Sequence, residues 1–68
     1  MIKYKLKVEL AKNEMTQLEL HNLTGIRTET ISNIATGKIK RIPVEVLEKL
    51  CKTLNCGIND LIEYTTED

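Results

Sequence analysis

Apolar positions recur along most of the chain at helical spacing. Leu47, Leu50, Cys51 and Leu54 stand at i, i+3, i+4 and i+7, one stripe of an amphipathic helix and the clearest in the sequence. Ile31, Ile34 and Ala35 give an inward face to the segment before it, and Leu20 and Leu23 do the same for an earlier one. Leu6 and Leu10 predict a first helix from about Lys5 to Asn13, with Met15 closing its apolar surface. The stretch from Ile2 to Leu10 also alternates apolar and charged residues as a strand does, so this segment carries two readings. Leu61 and Ile62 fit a last short helix capped by Asn59.

Start and stop signals divide these segments. Thr16-Gln17-Leu18-Glu19 is a capping box, in which hydroxyl and carboxylate each satisfy an otherwise orphaned amide. Gly25 ends that helix at the left-handed position glycine tolerates best. Either Arg27 or Thr28 caps the next helix, and cap propensity favours Thr28. Thr36-Gly37 stops it. The basic loop Lys38-Ile39-Lys40-Arg41 follows, and Pro43 falls at or just before the first turn of a fourth helix. Asn55-Cys56-Gly57 breaks the fourth helix, and Thr65 to Asp68 reads as a solvated tail. With no repeat, low-complexity tract or linker, residues 1–68 read as a single all-α domain of five helices, with a short terminal β-ribbon as a further option.

Composition narrows the function. A chain of 68 residues has room for one modest core, and at that size only about 60% of the unfolded surface is buried. A catalytic cleft would have to be carved from that core. Ser32 and His21 are a nucleophile and a base with no third group to orient them, so no catalytic residue is assigned and an enzyme is not expected. Phe and Trp are absent and Tyr occurs twice, which leaves no stacking platform for single-stranded nucleic acid. Cys51 and Cys56 with one His do not make the spaced ligand pairs that zinc requires, so neither metal nor cofactor is expected. Cys51 reads instead as a buried free thiol. No apolar run suits a membrane span and no signal peptide is evident, which predicts a cytoplasmic protein.

Net charge is zero, but unevenly spread. Residues 27–41 hold Arg27, Lys38, Lys40 and Arg41 against Glu29, while residues 42–68 hold Lys49 and Lys52 against six acids. Such a dipole can turn one face to a polyanion. The lysines of the loop also suit the negative end of the preceding helix, a plainer account of Lys38 but not of Arg41, which lies beyond it. Lys3, Lys5, Lys7 and Lys12 alternate with apolar residues and read as a solvated face.

Two short helices joined by a tight glycine-containing turn, over about residues 16–36, describe a helix-turn-helix unit. The first helix braces the second, whose outer face can then enter a major groove about 12 Å wide. Thr28, Glu29, Ser32 and Asn33 make up that outer face, and nothing internal requires them.

Gln17, Leu20, Gly25, Ile26, Ile31 and Ile34 fall at offsets 1, 4, 9, 10, 15 and 18 of a twenty-residue motif. In this the chain resembles the lambda-repressor-like (Cro/Xre-type) family of transcriptional regulators, over about residues 5–64. The resemblance implies a five-helix DNA-binding domain with base-reading positions at Arg27, Thr28, Glu29 and Asn33, to which the exposed Ser32 is added. It implies backbone-contacting positions at Gln17, Thr36, Lys38, Lys40 and Arg41. His21 departs from the pattern, because that offset usually holds Ala where the two helices cross closely. Its ring must push the helices apart or turn outward. Glu29 faces a polyanion, yet a carboxylate can accept from cytosine. The expected partner is a pseudo-palindromic double-stranded operator bound by a homodimer, with no small-molecule ligand. Two dimer surfaces are candidates: helix five with Leu61, Ile62 and Tyr64, and a ribbon made from Ile2-Lys3-Tyr4 and Glu63-Tyr64-Thr65. The competing reading is an antitoxin-like protein-interaction module on the same fold, which the acidic C-terminal third favours.

Overall fold

The computed structural model describes residues 1–66. Both readings of the N-terminal segment are realised, divided at Lys5: β1 spans Ile2–Tyr4 and α1 spans Leu6–Lys12. The helices α2 (Gln17–Thr24), α3 (Thr28–Thr36), α4 (Val44–Leu54) and α5 (Ile58–Leu61) follow, and β2 (Ile62–Tyr64) closes the described chain. Helices dominate, and the two strands form the short antiparallel ribbon.

One fully buried aliphatic residue comes from each of the first four helices: Leu6, Leu20, Ile31 and Leu50. Leu61 of α5 joins them at 3% exposure, along with Leu54, Ile34 and Ala35. α2 touches both α3 and α4, while α1 packs on α3 and α5. The core is aliphatic throughout, as the absence of Phe and Trp requires.

The ribbon pairs Ile2 with Tyr64, Lys3 with Glu63, and Tyr4 with Ile62. The second strand thus starts one residue before the predicted Glu63. Ile62 leaves the helix for the strand, because the Leu61 carbonyl accepts from the Lys5 amide at 2.6 Å and so begins the pairing. Met1 and Thr65 extend the ladder, the Thr65 amide donating to the Met1 carbonyl at 2.9 Å. Of the predicted tail, Thr65 is therefore tied down, and residues 67 and 68 lie outside the described residues. Side chains alternate across a strand, so Ile2, Tyr4, Ile62 and Tyr64 share one face. Tyr4 and Ile62 pack on the core, whereas Ile2 and Tyr64 overhang it in solvent.

Two cap and face assignments change. Gly57, not Asn59, caps α5, because the Asp60 carboxylate accepts from the Gly57 amide at 3.0 Å. Leu23 is 65% exposed rather than inward. The inner side of α2 runs along Gln17, Leu20, His21 and Thr24, all buried or half-buried, so three of its four members are polar.

Glu9 is a carboxylate at 5% exposure, paired with the Lys12 ammonium at 3.3 Å. Its negative charge bears on Cys56, which with Cys51 is a half-buried free thiol. Burial above all, then Glu9, Cys51 and Asp60, pushes the Cys56 thiol up from 9.0 to about 11. The unfolded chain therefore loses this proton at a pH where the folded chain keeps it, and stability falls as pH rises. The contribution is complete below pH 9.0 and lost by about 11. Urea midpoints taken between these limits should fall further for the parent than for Cys56→Ala. Parallel curves for the two would refute the coupling.

Candidate nucleic-acid interface

The capping box forms as the residue types dictate. Thr16 Oγ1 accepts from the Glu19 amide at 3.1 Å, and Glu19 Oε1 accepts from the Thr16 amide at 2.9 Å. At the other end of α2, Gly25 adopts φ +76° and its amide donates to the His21 carbonyl at 2.8 Å. A side chain there would meet no neighbour, so the demand for glycine comes from backbone conformation alone.

The turn to α3 is only Gly25-Ile26-Arg27, and Ile26 anchors it at 6% exposure. The cap of α3 is Arg27 rather than the favoured Thr28. Arg27 is extended (φ −59°, ψ 141°), makes no side-chain cap bond, and its carbonyl takes the Ile31 amide at 3.0 Å. Cap propensity failed here because the buried Ile26 already determines where the chain turns. Glu29 lies in the first turn, where negative charge suits the helix dipole.

Every base-reading candidate is therefore on or beside α3. At about 100° per residue, Thr28, Ser32, Thr36, Glu29 and Asn33 fan across an arc of about 140°. Ile34 and Ile31 lie on the other side of the helix and Ala35 borders Thr28, and all three are buried. Thr28, Glu29, Ser32 and Arg27 are exposed; Asn33 sits half-buried at the edge of the arc.

The basic loop is built outward from two apolar anchors. Gly37 (φ +78°) donates to the Ile34 carbonyl at 3.2 Å and Lys38 to the Asn33 carbonyl at 2.9 Å, the paired bonds of a Schellman ending. Ile39 donates to the same Asn33 carbonyl at 3.2 Å, and the side chains of Ile39 and Ile42 pack against the core. Lys40 and Arg41 are left exposed between them, and Lys38 just before them, and among the described residues no carboxylate pairs with the three. The charges are legible in the sequence, whereas the isoleucine anchors that aim them are not.

Two backbone candidates are less free than the motif implies. The Thr36 hydroxyl donates to the Ser32 carbonyl at 2.9 Å, so its one proton is already committed when a phosphate oxygen would need it. Gln17 is half-buried at the first turn of α2.

The role of the side chains in the turn itself carries no signal in the sequence pattern. Thr24 Oγ1 donates to the Leu20 carbonyl at 2.7 Å and accepts from the Ile26 amide at 3.1 Å. The His21 ring is half-buried, and its Nδ1 lies 2.6 Å from the Ile26 carbonyl oxygen.

A braced helix with a polar outer face, followed by an unpaired basic loop, is the architecture of a helix-turn-helix DNA reader. Comparison with known proteins agrees. Residues 5–67 match the profile of the Cro/C1-type helix-turn-helix DNA-binding domain, and the chain belongs to that family. It is similar to the uncharacterised HTH-type transcriptional regulator YozG of Bacillus subtilis (strain 168), with 38% identity over 61 residues, 90% of this chain and 73% of that one. Among solved structures, a candidate DNA-binding protein from Bacteroides fragilis matches with TM-score 0.79 and 28% identity, covering 93% of this chain and all of that one. The transcriptional regulator VanUg matches with TM-score 0.77 and 31% identity, over 97% of this chain and 87% of that one. The family is one of DNA binders rather than of enzymes, and the relatives do not favour the protein-interaction alternative. Among the described residues no helix is long and apolar enough to cross a membrane, and no cluster of ligands suited to a metal is present.

Proposed function

We propose that this protein is a cytoplasmic, sequence-specific transcriptional regulator that lays α3 in the major groove of duplex DNA and grips the backbone through the loop after it. The observation that carries the reading is the loop: Lys38, Lys40 and Arg41 stand exposed, and unpaired among the described residues, immediately beyond the polar face of α3, on a segment anchored by Ile39 and Ile42. Gln17 joins them as a neutral donor near the first turn of α2, and Thr36 contributes only if its hydroxyl releases Ser32. These groups position the protein without reading sequence. Arg27, Thr28, Glu29, Ser32 and Asn33 read base edges.

The tests separate the two roles. Replacing Lys40 and Arg41 with Ala should weaken binding to every duplex alike and flatten the salt slope by about one unit for each phosphate no longer neutralised. Unchanged affinity across a salt titration would exclude the loop. Glu29→Gln and Asn33→Ala should instead each alter preference at one base pair, an effect of about 1–3 kcal/mol apiece. If in vitro selection returned the parental sequence logo for both variants, the base-reading assignment would be wrong.

The reading includes a symmetric dimer, because one small module buries too little surface for regulatory affinity. Two copies would read half-sites of a pseudo-palindrome about 10 base pairs, or roughly 34 Å, apart. Of the helix-five candidates, Leu61 is already packed inside the fold and Ile62 is half-buried. The exposed Ile2–Tyr64 pair, with Tyr64 at 68% exposure, supports the ribbon end as the surface for a second copy. Sedimentation at micromolar concentration should show a dimer that Tyr64→Glu dissociates. A parent that stays monomeric on operator DNA and protects one asymmetric half-site would refute it.

A further inference from the structure

The backbone groups of the turn raise a question of satisfaction. Gly25, Ile26 and Arg27 cross between two helices, and the carbonyl and amide of Ile26 have no backbone partner in either helix. Ile26 is itself a core residue, so leaving both groups bare would strand polar atoms beside apolar packing. Two side chains of α2 meet the demand. Thr24 Oγ1 takes the Ile26 amide at 3.1 Å, and His21 Nδ1 reaches the Ile26 carbonyl at 2.6 Å. Ile26 is thereby held three ways: by its side chain in the core, by its amide and by its carbonyl. The next residue is Arg27, the cap from which α3 starts.

We propose that His21 is a positioning residue for base recognition. Through the Ile26 carbonyl it fixes the direction in which the recognition helix leaves the turn, and its neutral ring carries the proton on Nδ1. A carbonyl oxygen only accepts, so the ring nitrogen facing it must donate. A neutral imidazole carries one proton, and the nitrogen that holds it is determined by the hydrogen bond made. Nε2 then bears the lone pair.

The consequence for recognition is geometric. Contacts to base edges require the reading side chains to be held within about 0.5 Å and 10–20° of their working geometry, whereas backbone contacts by flexible lysines tolerate more. Loosening the Ile26 carbonyl should therefore lower discrimination while leaving nonspecific affinity near the parental value. This rests on the DNA-reading function argued above, so the test carries one arm that needs no DNA.

In that arm, long-range proton–nitrogen spectra of the free, fully folded protein, in the state whose ring carries a single proton, should show that proton on Nδ1 of His21. In the DNA arm, the duplex enriched by in vitro selection and a scrambled duplex of equal length are the probes. His21→Ala should reduce the ratio of the two affinities by about tenfold, the size of effect that one good base pairing carries. His21→Asn, whose side-chain amide can donate from nearly the position of Nδ1, should restore most of it. A proton found on Nε2 overturns the proposal whatever the DNA arm gives. So does a His21→Ala protein that folds and keeps the parental ratio, or an equal weakening on both duplexes. If selection enriches no duplex at all, the DNA-reading function fails, and the spectrum alone decides which tautomer the turn imposes.

Discussion

The longest helix among the described residues, α4, has 11 residues and the shortest has 4. Isolated helices shorter than about 12–15 residues are marginal in water, so none of these elements stands without the others. What holds them is a shared aliphatic centre to which Leu6, Leu20, Ile31 and Leu50 each contribute one side chain. The surface proposed to face DNA is the reverse side of that packing. Thr28, Glu29 and Ser32 point outward because Ile31, Ile34 and Ala35 point inward, and a helix of nine residues cannot satisfy one face without presenting the other. The direction of that polar face is thus determined by core packing on its hidden side.

Local chemistry supplies what packing leaves open. The capping box starts α2, left-handed glycines end α2 and α3, and the Schellman bonds at Asn33 deliver the chain into the basic loop already turned. Ile39 and Ile42 then act as two pegs, so the intervening Lys40 and Arg41 lie on a strap fixed at both ends. A lysine on a free loop must be ordered when it meets phosphate; here much of that ordering is already present.

The features legible in the sequence are those set by near neighbours. Thr16 with Glu19, the two glycine stops and the stripe on α4 each depend on residues a few positions apart, and all form as their residue types predict. The differences arise where distant parts of the chain decide. Leu23 reads as inward because it is apolar, but the inner side of α2 is made by Gln17, Leu20, His21 and Thr24, and the polar atoms of His21 and Thr24 serve the turn. Thr28 yields the cap to Arg27 because Ile26 has to reach the core. The second strand starts one residue early because Leu61 pairs with Lys5, a bond that no local pattern announces. Of the candidate site, the helix and its outward residues are legible in the sequence; the isoleucine pegs and the clasp on Ile26 are not.

The terminal ribbon has a kinetic consequence. It joins Ile2 to Tyr64 and Met1 to Thr65, across almost the whole described chain, whereas the α2–α3 unit is made within about twenty positions. The entropy of closing so long a loop must be met before its few hydrogen bonds are made. By that ordering the α2–α3 unit should assemble early and the ribbon zip last, on helices already in place. In reverse, the ribbon should open while α2 and α3 stay folded. A surface that joins two copies through this ribbon would tie assembly to the final step of folding, so that half-formed chains carry a reading helix but no means of pairing.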